Sequence, residues 1–182
     1  QFRKVVEKNT NWLSYAARSG IPLVGLDPSV VLTYRDEYLK IFDENELPFK
    51  VLLPQEFLVR NSEKYIKYAL AATDKLHDYQ LLGHCTEKTE AQLSQEQWKE
   101  VFEKFGLSLN LISAGCCGMA GTYGHETEHY EESRGIYDLS WGDKIPQDPF
   151  LRQNILTTGF SCRSQIKRFE GFRPLHPLQV LL

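Results

Sequence analysis

Four cysteines, Cys85, Cys116, Cys117 and Cys162, are the residues of this chain best suited to chemistry. Thiolates bind soft metal ions. Four of them converging at one place make the ligand set of tetrahedral zinc or of a cubane iron–sulfur cluster. Thirty-one positions separate Cys85 from Cys116, and forty-five separate Cys117 from Cys162. No Cys-x-x-Cys occurs, so the spacing is not that of a zinc ribbon. Long spacers suit ligands gathered from different strand ends. Adjacent Cys116 and Cys117 do not pair easily with each other, and a chain of this size needs no disulfide staples. Reduced thiols in a cytoplasmic setting follow. Two other readings stand beside the metal one: small buried apolar thiols, and thiol redox chemistry at the Cys116–Cys117 pair.

A competing motif is His125-Glu126-Thr127-Glu128-His129, a literal His-Glu-x-x-His. On a helix this pattern sets two imidazoles on one face to bind zinc, with the glutamate as general base of a peptidase. Against it, Glu128 sits inside the motif and Tyr130-Glu131-Glu132 follows it, whereas a catalytic zinc helix is buried. The plain reading is a solvated first turn whose acids favour the helix dipole. A middle reading puts His125, eight positions after Cys117, near the cysteines. His84 could ligate metal or hydrogen-bond a cluster sulfur, or simply end a strand. Asp27 could bind a ligand or cap the next helix. Trp12, Trp98 and Trp141 read as core or interface packing.

The elements that must position these residues alternate between helix and strand. Val5 to Arg18 has helical spacing, ended by Ser19-Gly20. Pro22 to Leu26 is a short strand, and Asp27-Pro28-Ser29 opens a helix to about Phe42. Lys50 to Leu53 is a short strand, and Ser62 to Leu76 an amphipathic helix with Ser62 as N-cap. Tyr79 to His84 is a strand, and Ser94 to Phe105 a helix capped by Ser94. Leu107 to Ser113 is a strand, followed by a Gly-rich turn to Gly124 and a helix from about Glu126 to Ser140. Asp143 to Pro149 is a loop, Ile155 to Gly159 a strand, Cys162 to Phe169 a helix, and His176 to Leu182 a terminal helix. This alternation predicts an α/β fold with a mostly parallel sheet flanked by helices. The chain reads as one cysteine-rich domain over 1–182, with two halves, 1–78 and 79–182. In such a sheet all strands end on one edge, where ligands bind. Gly83 precedes His84-Cys85, Ser113 precedes the Cys116-Cys117 turn, and Gly159-Phe160 precedes Ser161-Cys162. All four cysteines therefore fall at the carboxyl rim, near helix starts or turns whose N–H groups stabilise thiolate.

Composition sets the outer bounds. Of 182 residues, 42% are apolar and 25% charged, the balance of a folded globular chain. The formal charge is −3, which disfavours a general nucleic-acid binder. No apolar run approaches the roughly 20 residues of a membrane span. The chain starts at Gln1 and Met119 is its one methionine, which predicts a piece of a longer polypeptide.

Several strings resemble a known family. His84-Cys85, Cys116-Cys117-Gly118-Met119-Ala120-Gly121 and Ser161-Cys162-Arg163 resemble the cysteine-rich "CCG" domain. That domain occurs in the heterodisulfide reductase B subunit, the glycolate oxidase iron–sulfur subunit and the lactate-utilisation proteins. Gly25-Leu26-Asp27-Pro28-Ser29, Tyr34-Arg35-Asp36-Glu37-Tyr38 and Gly121-Thr122-Tyr123-Gly124-His125-Glu126 resemble the C-terminal part of bacterial FAD-linked D-2-hydroxyacid dehydrogenases of the D-lactate or D-2-hydroxyglutarate type. The match covers roughly Pro22 to Lys167.

The resemblance implies an electron-relay module whose 4Fe–4S ligands are Cys85, Cys116, Cys117 and Cys162. Gly118 would let backbone approach the cluster, with His84 and Asp27 near it. It further implies FAD on a flavin-binding half of the same polypeptide, a quinone or other acceptor, and a place in the cytoplasm or peripherally at the inner membrane face. Dehydrogenase activity is not expected of this chain alone. Cys162 lacks the second cysteine of a Cys-x-x-Cys, Thr86 stands where a second histidine is usual, and Ser29-Val30 stand where duplicated members carry a cysteine. One site with four ligands is therefore expected. The alternative implied role is a structural or zinc-binding interaction domain of the same flavoenzyme.

Overall fold

The computed structural model describes residues 1–42, 47–69 and 78–181. It opens with helix α1 (Phe2–Arg18), which ends at Gly20 with φ +75°. Strand β1 (Leu23–Val24) follows, then α2 (Pro28–Arg35), β2 (Val51–Leu52), α3 (Pro54–Arg60) and α4 (Ser62–Ala69). The second half contains β3 (Asp78–Leu82), α5 (Cys85–Glu90), α6 (Ser94–Lys104), β4 (Ser108–Leu111), α7 (Tyr130–Ser140), α8 (Pro149–Arg152), β5 (Ile155–Thr157), α9 (Phe160–Glu170) and α10 (Pro177–Val180). Strands β1 and β2 form a parallel pair, and a second parallel sheet runs β4-β3-β5. The α/β architecture with parallel strands flanked by helices is as the sequence predicts.

Strand periodicity explains the layers, because neighbouring side chains on a strand face opposite ways. Leu82 and Ile155 pack with Cys117, Met119, Tyr137, Trp141, Cys162 and Ile166. Leu81 and Leu156 pack with Trp98, Val101, Phe102 and Leu109. Helices α7 and α9 therefore cover one face of the central sheet and α6 the other. Two of the four cysteines belong to the first of these cores.

Several boundaries differ from the sequence reading. The helix expected to reach Phe42 stops at Arg35 and resumes as a 3-10 turn, Glu37–Lys40. Arg35 is held across the chain by Val51 O and Glu56, and Tyr38 is buried against Tyr34. The loop before Ser62 holds a helix, α3, with Pro54 in its first turn and Glu56 accepting from the Leu53 N–H at 2.8 Å. Ser62 lies within α4 rather than capping it, and residues 70–76 of the expected helix lie outside the described residues. Trp98 and Trp141 are fully buried, whereas Trp12 is 70% exposed.

Ser94 does not cap α6; Leu93 holds that position. The Ser94 hydroxyl turns inward and donates to Glu87, a fully buried carboxylate that also accepts from Gln55 Nε2 (2.9 Å) and the Thr158 hydroxyl. Burial pushes the Glu87 carboxyl upward, while its Ser94 and Thr158 donors pull it back. A buried acceptor that loses a donor costs about 1–3 kcal/mol. Ser94→Ala is expected to lower stability by about that amount in urea unfolding, with no change in helix content. A loss below roughly 0.5 kcal/mol would mean that the network is not a stabilising one.

Candidate functional site

The carboxyl ends of β3, β4 and β5 carry the cysteines, as expected of a parallel sheet. After β3 the chain turns at His84, whose Nδ1 accepts the Thr86 N–H at 3.3 Å and so caps α5. The His84 N–H donates to Thr158 Oγ1 at 3.1 Å, and its Nε2 lies 3.2 Å from Ser161 Oγ. Cys85 is therefore placed by its neighbour's contacts to the end of β5. After β4, residues 113–118 cross the rim without regular structure. Lys88 donates to the Ala114 carbonyl, and the Trp141 indole N–H to the Gly115 carbonyl at 3.1 Å.

The turn after Cys117 depends on glycine. Gly118 has φ +83°, and a Cβ there would lie 2.3 Å from the Ser133 carbonyl oxygen. The Ser133 hydroxyl donates to the Gly118 carbonyl at 2.7 Å and accepts from Gln165 Nε2 at 2.7 Å. The Gly118 N–H donates to Cys116 Sγ at 3.4 Å. Arg168 reaches the Gly124 carbonyl and closes the far end of the turn. Cys162 sits in the first turn of α9, which follows Gly159. A Cβ on Gly159 would stand 2.3 Å from His84 Cδ2 and 3.2 Å from Cys162 Sγ.

These supports bring the sulfurs together. All four cysteines are free. Cys85 contacts Cys116, Cys116 contacts Cys117, and Cys117 contacts Cys162. The contacts run as a row. Among the described residues no three His, Cys, Asp or Glu side chains are arranged as ligands about a common centre.

The Cys116 contact and burial hold the Cys85 thiol well above its ordinary value. At Cys117 the Cys116 contact acts downward, but the Cys162 contact and burial outweigh it and push the thiol up to about 12. The expectation that helix starts make these thiols acidic is therefore corrected at Cys85 and Cys117. Neighbouring sulfurs and burial outweigh the N–H dipoles.

Asp27 lies at the same end of the molecule. It caps α2, accepting from the Ser29 N–H (3.1 Å), and also accepts from the Phe160 N–H at 2.8 Å. Burial opposes ionisation, but the bonds from Ser29, Phe160 and Val30 win and hold its carboxyl below the usual range. It joins the start of α2 to the start of α9. The sequence analysis names Gly159 at the rim but gives no part to Lys88, Ser133 or Gln165, which carry no local signal.

The His-Glu-x-x-His string does not form a zinc helix. His125 ends one 3-10 turn (Tyr123–His125) and His129 another (Thr127–His129), with Glu126 extended between them. His125 is exposed. His129 stacks on Tyr123 with ring centroids 3.9 Å apart and pairs with Glu126 at 3.4 Å. The peptidase reading is overturned, because the i, i+4 geometry that would align the two imidazoles is absent.

Comparison with known proteins finds similar chains among the dehydrogenases. A subunit of the anaerobic glycerol-3-phosphate dehydrogenase of Escherichia coli K12 is 25% identical over 171 residues, 89% of this chain and 40% of that polypeptide. The chain is thus related to polypeptides of dehydrogenases. More particularly, it is related along its whole length to D-2-hydroxyglutarate dehydrogenases. That of Escherichia coli K12 is 44% identical over 182 residues, and that of Pseudomonas putida KT2440 is 44% identical over 181 residues. The chain spans 17% of the length of each of these relatives. The resemblance to the D-2-hydroxyacid dehydrogenase class is borne out to that extent. No family model matches the chain, and no solved structure matches it significantly. Among the described residues no helix is long and apolar enough to cross a membrane.

Proposed function

We propose that this chain is the electron-relay module of a D-2-hydroxyglutarate dehydrogenase, and that Cys85, Cys116, Cys117 and Cys162 hold a 4Fe–4S cluster. The observation that carries the reading is the meeting of four free thiols at one sheet rim, in a chain whose relatives bear that enzyme's name. The donor set fits the group: soft sulfur ligands, a close backbone approach at Gly118, and a Gly118 N–H already directed at Cys116 Sγ. A cluster bound there would supply a one-electron carrier between a flavin and an external acceptor.

The chain's own residues set the stage for it. Lys88 and Trp141 fix the approach to Cys116 by holding the carbonyls of Ala114 and Gly115. Ser133 and Gln165 fix the exit from Cys117. His84 ties the start of α5 to β5 through Thr158, so Cys85 and Cys162 keep their relative positions. FAD and substrate belong, on this reading, to the rest of the polypeptide, with a quinone or another acceptor taking the electrons. The setting is cytoplasmic, or peripheral at the inner membrane face. Asp27 acts through α9 rather than on the cluster.

Zinc is the second reading, since four thiols also suit it. The test is iron, sulfide and zinc analysis of the intact protein purified without oxygen, beside its Cys117→Ser variant. The relay reading expects a loss of about four iron and four sulfide in the variant. Equal iron and sulfide in the two proteins, or zinc lost in their place, would remove it.

A further inference from the structure

Helix α5 begins at Cys85 and is six residues long, Cys-Thr-Glu-Lys-Thr-Glu. It has no aliphatic or aromatic side chain, and six residues are too few to hold a helix by themselves. Its one buried residue is Glu87, which is 0% exposed. The segment that carries Cys85 is anchored by a carboxylate, whereas α6 is anchored by Trp98, Val101 and Phe102. A fully buried carboxylate lends less stability than an apolar side chain of its size. What it supplies is direction, because it accepts hydrogen bonds from donors at fixed points.

Those donors come from three other elements. Gln55 Nε2 reaches Glu87 from α3 at 2.9 Å, and the Ser94 hydroxyl reaches it from α6; both bond to Oε1. The Thr158 hydroxyl, at the end of β5, bonds to Oε2. A hydroxyl has one proton. Thr158 gives its proton to Glu87, so its oxygen is left to accept the His84 N–H, which it does at 3.1 Å. Glu87, Thr158 and His84 therefore close a ring of bonds around the stretch of chain from His84 to Glu87, and Cys85 lies on that stretch.

We propose that Glu87 is a positioning residue of the cysteine site: through Thr158 and the His84 N–H it fixes Cys85 against the end of β5, the strand that leads to Cys162. The functional meaning of this rests on the cysteines being ligands; the placement of Cys85 rests on the hydrogen bonds alone. Without the ring, Cys85 opens on its own while the sheet and Cys162 stay in place.

The test follows iodoacetamide alkylation of each cysteine by mass spectrometry, in the intact protein kept without oxygen and stripped of metal by a chelator. The quantity read is the rate at Cys85, which is partly exposed, divided by that at Cys162, which is buried. Local release of α5 raises this ratio. Global unfolding drives it towards one, because both thiols are then equally open. Thr158→Val and Glu87→Gln are each expected to raise it about tenfold, the effect of losing one buried hydrogen bond. Ser94→Ala, which removes a donor from the other carboxylate oxygen, is expected to leave it within about twofold. A ratio unchanged in the first two variants, a fall towards one in both, or an equal rise in Ser94→Ala would each overturn the assignment. Iron and sulfide measured before stripping keep this apart from the relay reading: their absence would remove the cluster, and the ratio would still decide the role of Glu87.

Discussion

Gly118→Ala is expected to lower stability by about 3 kcal/mol and to displace the cysteine turn. Two costs add. Alanine at φ +83° is strained, by roughly 1 kcal/mol or more. Its Cβ would also lie 2.3 Å from a backbone oxygen, that of Ser133, which cannot rotate away. Helix α7 must then shift, and with it the Ser133 hydroxyl that holds the Gly118 carbonyl. For a chain of this size the unfolding midpoint should fall by roughly 6–12 °C. Gly121→Ala is the control. Gly121 also has positive φ, +69°, but its Cβ would meet nothing within 4 Å, so the loss should be about 1 kcal/mol. Thermal unfolding of the two variants, with iron content read in parallel, decides the matter. Equal losses would show that strain alone, and not the approach to Ser133, makes glycine necessary.

The second large effect is a dependence on acid. Burial, helped by the Arg163 cation and opposed by Asp27, depresses His176 from 6.5 to about 4. The unfolded chain therefore takes up a proton in a range where the folded chain refuses it. Stability from this residue is whole above the unfolded value and is lost as pH falls towards the folded one. Over that window the loss reaches about 3 kcal/mol. His176→Phe keeps an aromatic ring against Trp98 but cannot take up the proton. Urea unfolding at pH 7, 5.5 and 4.5 should show the gap between wild type and variant narrowing or reversing as the medium becomes acidic. A gap that stays constant would mean that His176 is protonated in the fold at no special cost.

The sequence carried the central sheet well, because strand patterns are local. Leu81-Leu82 and Ile155-Leu156 advertise strands buried on both faces, and Gly83 and Gly159 mark where the rim begins. Cys85, Cys116, Cys117 and Cys162 could be placed on one edge from that logic alone. What could not be read were partners distant in the chain. Ser94 has the look of a cap, yet it serves Glu87 because Gln55 and Thr158 converge there from 32 and 71 positions away. His125 and His129 have helical spacing, yet the Gly118–Gly124 turn and Arg168 end the helix before it reaches them. At Cys85 and Cys117 the acidity of the thiol runs opposite to the sequence reading for a similar reason. Helix starts are visible in sequence, whereas contacts between sulfurs are not.

The row of sulfurs has two ends, Cys85 and Cys162, and Gly159 stands beside the second of them and the histidine next to the first. Where its side chain would stand are the ring of His84, which precedes Cys85, and the sulfur of Cys162. A residue with no side chain thus works as a clasp: the His84 ring and the Cys162 sulfur come close because nothing at that position keeps them apart. Any larger residue would act as a wedge. It would press first on an imidazole already tethered to Ser161 and Thr86, and then on the sulfur. The distance between His84 and Cys162 is thus set at a position that contributes no atom to either.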